Sequence, residues 1–198
     1  MRIVAGAWRG RSLTAPPGTE TRPTADRVRQ ALFDILMHAS WAGRSIVEGA
    51  SVLDVFAGTG AMGLEALSRG AARAVFVERS RPALLALRSN IAACRAEDRC
   101  EVLLIDALTL PAGEPANIVF LDPPYGQDFV SHALTRLRSV GRVAAGSLIV
   151  AETGRDEPAP HIEPLAERTY GAARVTIWRE GEGSPRQVIN STTPVLRE

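Results

Sequence analysis

From residue 51 onward, compact apolar runs alternate with longer stretches in which apolar residues recur every three or four positions. "SVLDVF" (51–56), "RAVFVE" (73–78), "EVLLID" (101–106), "NIVFLD" (117–122) and "SLIVAE" (147–152) are short and β-rich. Between them, "GAMGLEALSRG" (60–70), "RPALLALRSNIAACRA" (81–96) and "DFVSHALTRLRSV" (128–140) carry helical periodicity. Gly70 closes the first of these, and Pro82 sits in the first turn of the second, where its missing N–H costs little. Continuous apolar strands alternating with helices predict an α/β fold with a mostly parallel sheet covered on both faces. The end of the chain differs. "PLAERTYG" and "ARVTIWRE" flank a small-residue turn and predict a C-terminal antiparallel hairpin. Beyond it, "GEGSPRQVINSTTPVLRE" is polar and aperiodic, a loosely held terminus.

The first 44 residues stand outside this alternation. "RIVAGAWRGRSLTAP" predicts a small β-hairpin turning near Gly6 or Gly10, and "RPTADRVRQALFDILMHA" predicts a helix. Thr24 can cap that helix, Asp26 favours its positive end, and Val28, Leu32, Ile35 and Leu36 share a face. Arg27 and Arg29 fall in the first turns, where a cation opposes the helix dipole by a few tenths to ~1 kcal/mol, which suggests that they serve something other than the helix. The expected organisation is therefore a hairpin-and-helix extension over 1–44, an α/β domain over 45–180 and a polar tail over 181–198.

Charge adds an address. The net charge of +1 conceals seven arginines against three acids in residues 1–44, and sixteen arginines against nineteen acids in the remainder, with no lysine anywhere. A basic N-terminal segment on a mildly acidic body suits a polyanion docking at one end. No apolar run approaches the roughly 18–20 residues needed to cross a bilayer. The N-terminal apolar stretch is too short, and too flanked by arginine, for a secretory signal. A cytoplasmic protein without membrane contact is expected. Cys94, Cys100, His38, His132 and His161 are too few and too scattered for a zinc site, so reduced thiols and no metal are expected. No self-complementary apolar face stands out, and a monomer is the default.

"LDVFAGTGAMGLEAL" places Gly58, Gly60 and Gly63 between a strand and a helix, with Glu78 ending the next strand. That spacing fits an adenosine-containing cofactor, either a nicotinamide dinucleotide or S-adenosylmethionine. Asp54 decides between them. A carboxylate on the rim of the loop repels a pyrophosphate but suits the ammonium and sulfonium of S-adenosylmethionine. Glu78 can accept the ribose hydroxyls, and Asp106, ending the third strand, can accept from the adenine amino group. Four strands ending in acid (Asp54 nearby, Glu78, Asp106 and Asp122) fit a cationic cofactor at the carboxyl ends of an open sheet.

The fourth strand runs into "DPPYG". Pro123 and Pro124 fix φ, force an extended path and carry no N–H, leaving their carbonyls as acceptors beside the Asp122 carboxylate. Such a pair of acceptors suits the two N–H groups of a planar exocyclic amine, and Tyr125 supplies a face for a base to stack on. Held hydrogens localise the amine's lone pair, and Asp122 stabilises the positive charge that develops on nitrogen, so alignment and electrostatics carry the catalysis.

With these motifs in place, the sequence resembles the Rossmann-fold (class I) amino-methyltransferases. It is most similar to the bacterial family that methylates the N2 amine of one guanine in 16S ribosomal RNA. "MRIVAGAWRGRSL", "RPTADRVR" followed by "ALF", the glycine loop and "DPPY" carry the resemblance over roughly residues 1–180. The resemblance implies that Phe56, Gly58 and Gly60 line S-adenosylmethionine, with Asp54 nearby, Glu78 on the ribose and Asp106 near the adenine. Thr24 and Arg22 would lie by the methionine end, and Asp122, Pro123, Pro124 and Tyr125 would hold the guanine. Arg9, Arg11, Arg22 and Arg27 would bind 16S ribosomal RNA within an assembling small ribosomal subunit. Tyr125 departs from several relatives that carry phenylalanine, with stacking preserved; the tail after residue 180 lies beyond the resemblance.

Three rivals are weaker. An adenine-N6 DNA methyltransferase uses the same tetrapeptide but needs a larger target-recognition region than about fifty N-terminal residues. A catalytically silent RNA-binding assembly factor would not need Asp122 or the glycine loop. A dinucleotide-dependent dehydrogenase conflicts with Asp54.

Overall fold

In the computed structural model, residues 1–16, 23–42, 46–126, 128–157 and 162–181 are described, with only the backbone for 23–25. The alternation read from the sequence becomes α1 (Pro23–His38), β1 (Ser51–Val55), α2 (Ala61–Ser68), β2 (Arg73–Glu78), α3 (Arg81–Cys94), β3 (Cys100–Leu104), β4 (Ile118–Leu121), α4 (Phe129–Ser139), β5 (Leu148–Gly154), β6 (Ala166–Tyr170) and β7 (Ala173–Arg179). The seven strands form one sheet in the order β3-β2-β1-β4-β5-β7-β6. β1 to β5 are parallel, and β7 joins β5 antiparallel with β6 beside it. This is the mostly parallel α/β sheet the periodicity implies, in the Rossmann-like form the resemblance implies, closed by the expected C-terminal hairpin. The strand order reverses between β1 and β4, which opens a crevice beyond their carboxyl ends.

The central strands are largely apolar because both faces are covered. On one face Val52, Ile118, Phe120 and Val150 pack with α1, α2 and α3; on the other, Leu53, Val119, Leu121 and Ile149 pack with α4. Phe33 of α1 meets Phe120 of β4 with ring centroids 5.7 Å apart. "EVLLID" departs from the buried strand expected of it. β3 is the sheet edge, none of its five residues is fully buried, and Leu104 is exposed. β5 runs two residues past "SLIVAE" because β7 pairs with it from Leu148 to Gly154.

The N-terminal segment is less a separate module than the sequence suggests. Ile3, Leu13, Leu32, Phe33 and Leu36 belong to the same hydrophobic cluster as the sheet residues. A single antiparallel bridge, Arg2 to Ser12, marks the hairpin, flanked by hydrogen bonds from Ile3 N to Arg11 O (2.9 Å) and Leu13 N to Met1 O (3.1 Å). The hairpin docks on the end of α2, where Ala7 N donates to Ser68 O (2.7 Å) and Trp8 N to Ser68 Oγ (3.0 Å). Gly6, at φ +80°, permits that approach: a Cβ there would stand 1.9 Å from Ser68 O.

One expectation about α1 changes, and another becomes specific. The helix begins at Pro23, so Thr24 lies within its first turn instead of ahead of it as a cap, and the proline takes the position where a missing N–H is harmless. Arg29 is buried, donating to Asp26 Oδ1 (2.9 Å) and to the Arg2 carbonyl, with Glu65 Oε2 3.5 Å from its Nε. Its work is to join α1, the hairpin and α2. Arg27 stays exposed.

Candidate active site

The chain leaves β1 through Phe56, whose φ of +66° is left-handed, a conformation costing roughly 1–3 kcal/mol in a non-glycine residue. The turn sets Phe56 between two cavities, both of which it lines. The following glycines shape the turn into α2. Gly60, at φ +77°, precedes the helix, and a Cβ there would stand 2.3 Å from Leu87 Cδ1. The Glu78 carboxylate fastens the loop from β2, accepting from Gly58 N (2.8 Å) and Ser80 N (2.6 Å). Asn90 of α3 supports it from behind by donating to the Thr59 and Thr14 carbonyls, both at 2.9 Å.

One cavity, of about 520 Å³, lies over the ends of β2 and β3 and is walled by Glu78, Ile105, Ala107, Pro123 and Tyr125. The other, of about 740 Å³, lies over the glycine loop and is walled by Asp54, Gly58, Val28, Glu152 and Tyr170, with Met1, Ala15 and Pro16 of the N-terminal segment. Asp122 lines both. The residue that follows β4 therefore stands where the two cavities meet.

The acids expected at the strand ends divide by role. Asp54 is buried, and its Oδ2 accepts from Gly63 N at 2.9 Å, binding β1 to the start of α2. Burial pushes its carboxyl up to about 8, against the pull of the Gly63 N–H and with further lift from Asp122 and Glu78. Asp122 is open to the cavities, and its carboxyl is also raised, first by desolvation and then by Glu152. Asp106 is held low instead, by Leu108 N donating at 2.9 Å and by Arg79 at 2.8 Å. Its oxygens are thus already engaged, although its neighbours Ile105 and Ala107 line the smaller cavity.

Glu152, which the sequence reading passed over, completes the site. It accepts the Tyr125 hydroxyl at 2.6 Å, which gives Tyr125 a polar anchor as well as the half-exposed ring anticipated for stacking. A signal existed, since "SLIVAE" ends in acid as the other strands do. Glu157 was missed too. Its Oε1 accepts from Gly126 N (2.8 Å) and Gly154 N (3.2 Å), tying the loop after "DPPY" to the end of β5.

Of the arginines assigned to RNA, Arg9, Arg11 and Arg27 are exposed. Arg11 also donates to the Ala93 carbonyl on α3, and the Arg99 guanidinium stacks 5.0 Å from the Trp8 ring, which gives the hairpin surface another cation. Arg22 and the side chain of Thr24 lie outside the described residues. Among the described residues no His, Cys, Asp and Glu group has metal-binding geometry, and no helix is long and apolar enough to cross a membrane.

Known proteins resemble this chain in sequence and fold. The family described as conserved hypothetical protein 95 matches residues 1–179. Ribosomal RNA small subunit methyltransferase D of Escherichia coli is 39% identical over 164 residues, covering 82% of this chain and 79% of its own. Among solved structures, yhhF from Escherichia coli superposes with a TM-score of 0.78 at 34% identity, covering 90% of this chain and 97% of its own. An RNA methyltransferase from Salinibacter ruber in complex with S-adenosyl-L-homocysteine shares the fold at a TM-score of 0.57 and 19% identity, over 85% and 97% of the two chains. The chain belongs to the conserved hypothetical protein 95 family, that of the ribosomal RNA small subunit methyltransferases D.

Proposed function

We propose that the protein methylates the exocyclic N2 amine of one guanine in 16S ribosomal RNA, using S-adenosylmethionine as donor. The observation that carries the reading is Asp122 at the meeting point of two cavities, followed directly by two prolines and a half-exposed tyrosine.

The residues fit the donor. Asp54 and Glu78 make the cofactor side of the crevice acidic, and the raised carboxyl of Asp54 records an unfavourable charge that a cation relieves. Glu78 and the apolar Ile105 and Ala107 would hold the adenosine, and the glycine loop with Asp54 the methionine part. When bound, S-adenosylmethionine supplies an electrophilic methyl group on a sulfonium. Its product-like form occupies the structural neighbour from Salinibacter ruber.

The chain's own contribution is alignment and charge. Tyr125 offers its ring to a base flipped out of the RNA. The Asp122 carboxylate and the Pro123 carbonyl accept the two N–H groups of the amine, which frees its lone pair from conjugation. Asp122 then stabilises the charge growing on nitrogen and takes the departing proton, while Glu157 keeps the loop from drifting. Arg9, Arg11 and Arg27, with Arg22, would grip the phosphates of an assembling small ribosomal subunit in the cytoplasm, the protein acting as a monomer.

The test is Asp122→Ala, assayed with labelled S-adenosylmethionine and small-subunit particles from a strain lacking the enzyme. Transfer should fall at least ~100-fold, the scale for losing one transition-state contact, with cofactor affinity within a few-fold of the parent. The wild-type product should be N2-methylguanosine at a single position. Full activity in the variant, or N6-methyladenosine as the product, would overturn the reading.

A further inference from the structure

The site holds one acid more than methyl transfer to an amine requires. Register pairs Leu121 of β4 with Ala151 of β5, so Asp122 and Glu152 are the next positions on neighbouring parallel strands, ~4.8 Å apart along the hydrogen-bonding direction and on the same face. Both line the larger cavity. Among the described residues, no arginine pairs with either carboxylate. The Tyr125 hydroxyl pins Oε1 of Glu152, and no hydrogen bond among the described residues occupies Oε2. Two carboxylates without a counter-ion, side by side, one held in position by the stacking tyrosine, call for a ligand edge that is all donors.

Guanine has such an edge. Its N1–H lies next to its N2 amine, so an amine seated on Asp122 carries N1–H toward the neighbouring strand. Adenine and 2-aminopurine present a lone pair at N1, which would face a carboxylate. We propose that Glu152 is a specificity-determining residue whose carboxylate accepts the N1–H of the target guanine and rejects bases with an acceptor at N1. The inference rests on guanine-N2 transfer as the reaction. It assigns the two functions of the base edge to different strands, with the reacting amine on β4 and base identity on β5. It also gives the Tyr125 hydroxyl a task that phenylalanine cannot perform, namely orienting Glu152.

The experiment compares wild type with Glu152→Gln, whose amide can turn either a donor or an acceptor toward N1. Small-subunit particles from a strain lacking the enzyme serve as substrate. Guanosine 5′-monophosphate and 2-aminopurine riboside 5′-monophosphate serve as competing inhibitors, and S-adenosylmethionine affinity is measured by calorimetry. Wild type should be inhibited at least ~10-fold more strongly by the guanine nucleotide, about one well-made hydrogen bond of discrimination. In Glu152→Gln that ratio should fall to within ~3-fold, with cofactor affinity within ~3-fold of wild type. Equal inhibition of wild type by both nucleotides, or an unchanged ratio in the variant, overturns the assignment. So does a ~10-fold loss of cofactor affinity with the ratio intact, which would place Glu152 on the methionine ammonium. Failure of the underlying reading is separate, because wild type would then form no N2-methylguanosine in the particles.

Discussion

The N-terminal hairpin reaches the active site through one buried carboxylate, and removing it should cost both stability and cofactor binding. Glu65 of α2 is fully buried. Its oxygens accept from Val4 N (2.8 Å) and Ala5 N (3.0 Å) and pair with Arg69 Nε (2.7 Å) and Arg29 Nε (3.5 Å). Arg29 and Arg69 are themselves 4% and 8% exposed, so Glu65→Ala leaves two cations buried without this partner. Breaking a buried pair from one side costs about 3–5 kcal/mol. Val4 and Ala5 are only partly buried, and Arg29 keeps Asp26, so water and that second acid limit any further loss. At roughly 2–4 °C per kcal/mol for a chain of this size, the melting temperature should fall by roughly 6–20 °C. Glu65→Gln keeps the shape and one acceptor, and should cost about half as much. Urea unfolding followed by circular dichroism gives the free energies. Calorimetry with S-adenosylmethionine then reads the functional consequence, because Met1, Ala15 and Pro16 wall the larger cavity and depend on the hairpin's seat. A loss below ~1 kcal/mol in Glu65→Ala would refute the idea that this carboxylate holds the segment in place.

Two further outcomes follow from charge. Asp122 must be ionised to stabilise a cationic nitrogen, and its carboxyl is raised to about 7, by desolvation first and Glu152 second, so kcat/KM should fall below pH 7 toward tenfold per unit and level off above it. Glu152→Gln removes the second cause and should move that acid limb to lower pH; a flat wild-type profile between pH 5.5 and 8 would refute the assignment. Replacing Arg9 and Arg11 together by alanine should weaken RNA binding and flatten the dependence of log Kd on log salt by about 1–2, as expected for one or two lost phosphate contacts. An unchanged slope in filter-binding titrations would move the RNA surface elsewhere.

The parts of the molecule legible in the sequence are those whose chemistry is contiguous. A strand buried on both faces must be largely apolar, so β1, β2, β4 and β5 stand out as continuous runs. "AGTG" and "DPPY" announce a turn and an acceptor pair because each acts within four residues. β3 was misjudged because an apolar run does not reveal whether a further strand will cover its edge. Arg29 was legible only in part for a related reason. Its setting in the first turns of α1 reads as a local misfit with the helix dipole, whereas its real environment is Glu65, 36 residues away, and the Arg2 carbonyl. The exposed Arg27, two residues earlier, carries the same charge in the same turn, and only docking of α1 on α2 separates their roles.

Tyr125 sharpens the point. Its ring could be inferred from a tetrapeptide, and on the ring alone phenylalanine would serve equally. Its hydroxyl acquires meaning only when β5 is laid beside β4 and brings Glu152 to 2.6 Å. On the proposed reading, the reacting amine is addressed by residues adjacent in sequence, Asp122 to Tyr125, and the identity of the base by a residue adjacent only in the sheet. That division has a physical basis. Acceptors for one amine must sit within a few ångströms of each other, which consecutive backbone positions guarantee. Reading a second edge atom requires a group about one strand spacing away, which only the neighbouring strand of a parallel sheet can supply. On that reading, a methyltransferase of this architecture can change its base preference at the end of β5 while keeping its acceptors for the amine at the end of β4, with only the titration of Asp122 following the exchange.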